Sequence, residues 1–65
     1  SDRQGRGRLV AALGEGPVAD GRLAEAMGWP GDTDRARRVV GTLVADGLVV
    51  VWASGYALPG WEPGT

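Results

Sequence analysis

The chain contains no cysteine, no histidine, no lysine and no phenylalanine among its 65 residues. Without cysteine there can be no disulfide bridge, and without histidine as well the usual zinc ligands and the catalytic imidazole are missing. No apolar run approaches the roughly 20 residues that a membrane-spanning helix needs, and nothing resembles a signal peptide. We therefore expect a cytoplasmic protein that binds no metal or cofactor and has no membrane partner.

Net positive charge is also missing, since seven basic residues, all arginine, face eight carboxylates for a formal net charge of -1. A domain that binds nucleic acid by itself is usually strongly basic, so this balance argues against tight autonomous DNA binding. Local basic patches can still exist on a neutral domain. A chain of this length predicts one small domain that buries about 60% of its unfolded surface, and we expect a monomer.

The stretch 20–47 predicts two helices joined by a tight turn. The first, over 20–27, places Leu23 and Met27 on one face at helical spacing. Gly28 suits the position just after a helix end, where a left-handed conformation is common.

The second helix of this pair, predicted over 33–46, carries the arginines. Its N-cap is Asp32 or Thr33, and Gly47 ends it. The predicted buried face comprises Ala36, Val39, Val40, Leu43 and Val44. The predicted exposed face comprises Asp34, Arg35, Arg37, Arg38 and Thr42. This is the pattern of a helix-turn-helix with an exposed recognition helix.

The flanking segments predict one more helix and a hairpin. A helix capped by Ser1 or Asp2 is expected to become regular only over 6–14, because Gly5 and Gly7 weaken its first turn. The link 16–19 is extended and either pairs as a short edge strand or stays unpaired. The β-branched run 48–52, a glycine-containing turn at 53–55 and a return strand at 56–58 predict a two-stranded hairpin. The predicted core comprises Leu9, Leu13, Leu23, Met27, Val39 or Val40, Leu43, Leu48, Val50 and Leu58.

These elements predict a small α+β fold, a winged helix-turn-helix with three helices plus a C-terminal two-stranded β-hairpin. It would occupy residues 1–58, followed by a flexible C-terminal tail over 59–65. The alternative is a three-helix bundle with a disordered end, against which the valine run at 49–51 argues.

A possible DNA contact follows from the spacing of Arg35, Arg38 and Thr42, which share one side of the second helix, with Arg37 beside them. Arginine suits phosphate or guanine, and threonine suits phosphate or a thymine methyl group. The alternative is a solvated helix face on which Asp34 pairs with Arg37 or Arg38.

A second group of arginines lies near the start of the chain. Arg3, Arg6 and Arg8 could follow a DNA backbone, or they could be charges of a linker. The turn at 53–55 is short and uncharged, which argues against DNA binding by the hairpin.

The aromatic residues of the hairpin and tail form a candidate protein contact. Trp52 and Tyr56 flank the turn, where they either pack across the strands or contact a partner. Trp61 either folds back or docks on a neighbouring domain, and Trp29 is expected to cover the core from the turn.

No catalytic residue is predicted. The serines lack a neighbouring base, and Asp32 and Asp34 lie in the first turn of a helix, where carboxylates usually act as caps. We expect this chain not to be an enzyme.

Several segments together resemble a known family. They are Ser1-Asp2-Arg3-Gln4 followed by Arg6-Gly7-Arg8-Leu9, Trp29-Pro30, the run 34–38, the run 43–49 and Tyr56-Ala57-Leu58-Pro59. Over nearly its whole length the chain resembles the C-terminal extension of A/G-specific adenine glycosylases from high-GC bacteria. Gly5 departs from the bulkier residue expected there.

The resemblance implies base-excision repair, in which adenine opposite 8-oxoguanine is removed. The catalytic aspartate and glutamate of that family, and the four cysteines that hold its iron–sulfur cluster, map onto no position of this chain. It implies a non-catalytic accessory domain that assists DNA engagement at the nucleoid, beside the catalytic domain of the parent chain. The net charge of -1 leads us to expect that the domain binds duplex DNA only weakly by itself. The alternatives are a protein-interaction domain that docks on its own catalytic domain, and the DNA-binding domain of a transcription regulator.

Overall fold

Three α-helices and a three-stranded antiparallel sheet make up the computed structural model, which describes residues 1–62. The elements in chain order are α1 (Asp2–Glu15), β1 (Val18–Ala19), a 3₁₀ turn (Asp20–Arg22), α2 (Leu23–Ala26), α3 (Thr33–Ala45), β2 (Val50–Trp52) and β3 (Gly55–Ala57). The small α+β class predicted from the sequence is confirmed. Within the described range, no helix has the length and apolarity to cross a bilayer. The predicted tail lies partly outside the described residues, since 63–65 are not among them.

Helix α1 begins at Asp2, so the expectation of a regular helix only from Arg6 is wrong. Ser1 is the N-cap: its hydroxyl accepts a hydrogen bond from the Gln4 amide, and the Gln4 side-chain oxygen accepts one from the Ser1 amino group, both at 3.4 Å. This reciprocal capping box satisfies donors that would otherwise be unpaired at a helix start. It offsets the low helix propensity of the glycines in the first two turns.

Gly5 is buried because the indole of Trp29 packs directly on it. A Cβ at position 5 would collide with the six-membered ring of Trp29, whose Cε2 atom would lie 3.0 Å away. Trp29 in turn packs against the core from the turn between α2 and α3, as predicted. A larger residue at position 5 is therefore excluded by close packing rather than by backbone conformation.

We expect the two glycines of α1 to respond oppositely to alanine. Gly7→Ala has open space and should raise the free energy of unfolding by about 1 kcal/mol, the usual propensity difference. The free energy of unfolding of Gly5→Ala should be about 2 kcal/mol lower than that of Gly7→Ala, because overpacking against Trp29 costs about 1–3 kcal/mol. Urea unfolding of the two variants measures this difference, and equal stabilisation of both would contradict the Trp29 packing.

Helices α2 and α3 end in the same backbone motif. After α2, the amides of Gly28 and Trp29 donate back to the Glu25 and Ala24 carbonyls at 3.1 and 2.8 Å. After α3, Gly47 and Leu48 repeat this pairing with Val44 and Leu43 at 3.0 and 2.9 Å. Gly28 and Gly47 have φ values of 80° and 77°, as this left-handed Schellman ending requires. The predicted helix ends are thus confirmed, and Asp32 is the N-cap of α3. Of the first predicted helix of the pair, residues 20–22 form the 3₁₀ turn instead.

The sheet has the order β1-β3-β2, with β3 in the middle. Val18 and Ala19 pair with Tyr56 and Gly55, so the link before the 3₁₀ turn does become an edge strand. The turn between β2 and β3 consists of Ala53 and Ser54, and the residue with positive φ is Ala53, at 50°. The turn predicted over 53–55 is therefore one residue too long, since Gly55 already belongs to β3 and does not supply the positive φ.

The core comprises Leu9, Leu13, Leu23, Ala24, Met27, Ala36, Val39, Val40, Leu43 and Val49, with Ala57 also buried. Most of the predicted core is confirmed, but the prediction is wrong for Leu48 and Val50, which are 52% and 38% exposed. Val49 takes their place because the Schellman turn at Gly47 sets which residue of the following run points inward. Every residue of that run is apolar, so the sequence pattern could not choose between the two faces. Leu58, predicted in the core, is only partly buried, and it packs against the core as Tyr56 does.

Candidate nucleic-acid interface

Arg35 belongs to the packing of the domain rather than to a free surface. Its guanidinium lies 3.9 Å from the ring centroid of Trp29 and forms an ion pair of 2.9 Å with Asp2, at the start of α1. A second hydrogen bond, from Nε to the same carboxylate oxygen, measures 3.0 Å. Stacking on an indole and pairing with a carboxylate both hold this guanidinium in place. Of the predicted strip on α3, Arg35 is the residue most committed to other partners.

Arg37 is exposed but already holds a carboxylate. Its Nη2 donates to Oδ2 of Asp20 at 2.7 Å, and Oδ1 of Asp20 accepts a hydrogen bond of 3.5 Å from the Tyr56 hydroxyl. The hydrogen bond from Arg37 is the main reason why the pKa of Asp20 lies below its usual value, and the same bond raises the pKa of Arg37. Burial, followed by the nearby Asp20 charge, raises the pKa of Tyr56. The stabilisation from this pair is present above the ordinary carboxyl pKa and is lost as the pH falls through the lowered value.

Arg38 and Thr42 line a groove of about 270 Å³ between α1 and α3, and Arg6 of α1 lines it from the other side. Arg38 is exposed and Arg6 half-buried. Within residues 1–62 neither arginine forms an ion pair. The groove also contains Asp2, which is paired with Arg35, and Asp46, so it is not uniformly basic.

The remaining α1 arginines lie apart from this groove. Arg3 is exposed on the first turn of α1. The side chain of Arg8 lies over the end of α2, where a Cβ on Gly28 would stand 2.7 Å from its Nη1. Of the three α1 arginines, only Arg6 joins the groove that Arg38 lines.

The hairpin offers aromatic and apolar contacts instead of charges. Trp61 folds back onto Trp52, with ring centroids 4.7 Å apart and an interplanar angle of 72°. Strand β2 is exposed along its whole length, and Val51 is 67% exposed. Tyr56, the third predicted protein-contact residue, is half-buried and faces Asp20.

Sequence reasoning missed the two carboxylates that hold arginines of α3. The alternative of a solvated face proposed local pairing of Asp34 with Arg37 or Arg38. The observed partners, Asp2 and Asp20, instead lie 33 and 17 positions away from their arginines. Residues so far apart in the sequence are not related by helical spacing, so these pairs could not be predicted from it. Within residues 1–62 Asp34 forms no ion pair with either arginine, and its charge raises the pKa of Arg37 less than Asp20 does.

Among the described residues, no group of histidine, cysteine or acidic side chains is arranged to hold a metal ion. Comparison with known protein families, curated proteins and solved structures finds no match.

Proposed function

We propose that this chain is a winged helix-turn-helix domain that engages duplex DNA through α3. The order of helix, edge strand, two helices and hairpin supports the fold assignment, as does the sheet in which β3 pairs with both β1 and β2. In such a domain α3 is the helix that enters the major groove, and the β2–β3 hairpin is the wing.

The observation that carries the proposal is the placement of Arg38, Thr42 and Arg6 along one groove. Arg38 and Arg6 have no carboxylate partner within residues 1–62, so both guanidinium groups are available to phosphate. The exposed side of α3 continues with Gly41, next to which there is open space, and with Ala45. Small residues there let the helix backbone approach a DNA strand closely.

The domain is an accessory unit rather than a catalyst, in our proposal. Its resemblance to the C-terminal extension of adenine glycosylases supports a parent enzyme that removes adenine opposite 8-oxoguanine, acting at the nucleoid in the cytoplasm. The iron–sulfur cluster and the catalytic carboxylates would belong to the parent enzyme's catalytic domain. A four-cysteine cluster motif encoded upstream of Ser1 would support this parent.

A second candidate function, docking on the catalytic domain of the same parent, is favoured by one specific observation. Four large apolar side chains close together in the sequence are exposed, namely those of Leu48, Val50, Val51 and Trp52. Exposed apolar patches of this kind commonly mark protein contacts. The two functions use different surfaces and can be separated by experiment.

We expect the isolated domain to bind a short DNA duplex weakly, with a Kd of about 10⁻⁴–10⁻⁶ M or weaker at physiological salt. The net charge of -1 and the uncharged wing turn limit the affinity. NMR titration should show amide shifts centred on 35–42 that fade with added salt, because phosphate contacts release counterions.

Two variants that each remove one arginine charge sharpen this titration. Arg38→Gln should weaken binding and reduce the salt slope by about 0.9, the contribution of one phosphate contact. Arg22→Gln, in the 3₁₀ turn and outside the groove, is the matched control and should change binding less. Shifts absent at millimolar DNA, or confined to Trp52, Tyr56 and Trp61, would reject DNA engagement in favour of protein docking.

A further inference from the structure

We propose that Asp20 is an intramolecular competitor of DNA phosphate: it occupies Arg37 on α3 and thereby keeps the affinity of the domain for DNA low. This inference rests on the proposed function, because it concerns how the same helix engages DNA. Asp20 lies outside α3, so the spacing of residues on that helix does not reveal this role.

The carboxylate of Asp20 is held in position from two sides. Its backbone amide donates to the Ser54 carbonyl at 3.0 Å, which ties the 3₁₀ turn to the hairpin turn. One carboxylate oxygen accepts from Tyr56 at 3.5 Å, and the other accepts from Arg37 at 2.7 Å. Asp20 is thus a fixed partner of Arg37 rather than a side chain that meets it by chance.

A carboxylate and a phosphate compete for the same donors of an arginine. Both are anions that accept N–H···O hydrogen bonds from the planar guanidinium fork. Arg37 lies on the exposed side of α3, and its side chain is 57% exposed, so a DNA strand on that side could reach it. A phosphate that approaches must either displace Asp20 or share the guanidinium with a second negative charge, and both reduce the gain from the contact.

Arg37 differs in this respect from Arg35. Arg35 is 32% exposed, stacks on Trp29 and holds Asp2, so its release would break packing between α1 and α3. Arg37 has no aromatic ring beneath it within residues 1–62. Its exchange of Asp20 for phosphate therefore needs only the breaking of one exposed ion pair. Of the two carboxylates that hold arginines of α3, Asp20 is thus the one that can control DNA affinity.

The test is Asp20→Asn, which keeps the backbone amide and the size of the side chain but removes the negative charge. Binding of a fluorescent DNA duplex is followed by anisotropy at 50 and 200 mM salt. We expect tighter binding than in the unmodified domain and a salt slope steeper by about 0.9, because Arg37 gains one phosphate. The gain in affinity should then be about threefold to fourfold larger at 50 mM than at 200 mM salt.

Two controls identify the cause of that gain. Glu15→Gln, at the exposed end of α1, changes the net charge equally, and Glu15 holds no arginine within residues 1–62. Any gain in DNA affinity that Asp20→Asn shows beyond Glu15→Gln should disappear in the double variant Asp20→Asn with Arg37→Gln. Should Asp20→Asn not fold, Asp20→Ser replaces it, since it also keeps the amide that donates to Ser54.

The outcomes separate this inference from the proposed function. If the unmodified domain binds and Asp20→Asn gains no more than Glu15→Gln, Asp20 is not a competitor, while DNA engagement stands. Weaker binding by Asp20→Asn would also overturn the inference, because Asp20 would then position Arg37 for DNA. If neither the unmodified domain nor any variant binds at millimolar DNA, the proposed function fails and the inference with it.

Discussion

Leu43→Ala is expected to lower the free energy of unfolding by about 2–5 kcal/mol, the usual range for a buried leucine. Leu43 is 2% exposed on the inner side of α3 and belongs to the core cluster. Its carbonyl also accepts the hydrogen bond from Leu48 that closes the end of the helix. Small domains have total stabilities of only about 5–15 kcal/mol, so this one substitution can unfold much of the population.

Urea denaturation followed by circular dichroism measures this loss as a lower midpoint at an unchanged slope. Val51→Ala is the matched control, because it also removes apolar atoms but from an exposed position in β2. It should change stability by no more than about 0.5 kcal/mol. Similar losses in both variants would mean that Leu43 does not lie in the core.

Gly55→Ala is expected to be the most damaging small substitution in the sheet. A Cβ at this position would collide with the backbone carbonyl oxygen of Val18 and would lie 2.8 Å from Cα of Ala19. Both atoms belong to the main chain of β1, so no side-chain rotation can relieve the clash. Overpacking of this kind costs about 1–3 kcal/mol and sometimes more, and we expect β1 to separate from β3.

Amide hydrogen exchange tests this separation directly. In Gly55→Ala, the amides of the β1–β3 pair should lose protection together, while those of α3 keep theirs as long as the domain stays folded. Gly21→Ala, in the 3₁₀ turn with open space beside it, is the control and should leave β1 protected. Unchanged protection of β1 in Gly55→Ala would contradict the close approach of the two strands.

The strip of arginines on α3 illustrates how far the candidate site could be predicted. The helical spacing correctly places Arg37, Arg38 and Thr42 on the exposed side of α3, since that side follows from the apolar residues opposite. The same pattern treats Arg35 as equivalent to Arg38, although one stacks on Trp29 and the other lines an open groove. Which arginine is free depends on carboxylates brought in by α1 and by the 3₁₀ turn.

The sequence by itself determined the order and the ends of most elements, because these depend on neighbouring residues. Asp32 caps α3 and Gly28 and Gly47 end helices for reasons of local backbone geometry and hydrogen bonding. Periodicity likewise determined the inner faces of the helices. These signals are contained in a few consecutive residues and can be read without knowledge of the fold.

Only the tertiary structure decided which residues meet across the chain. The uniform apolar run 48–52 carries no alternation, so the choice of Val49 for the core depended on how the end of α3 meets the sheet. The burial of Gly5 under Trp29 and of Gly55 against β1 depended on close approach between distant segments. The pairing of Arg37 with Asp20 has the same origin, because an ion pair needs proximity in space and leaves no periodic trace in the sequence.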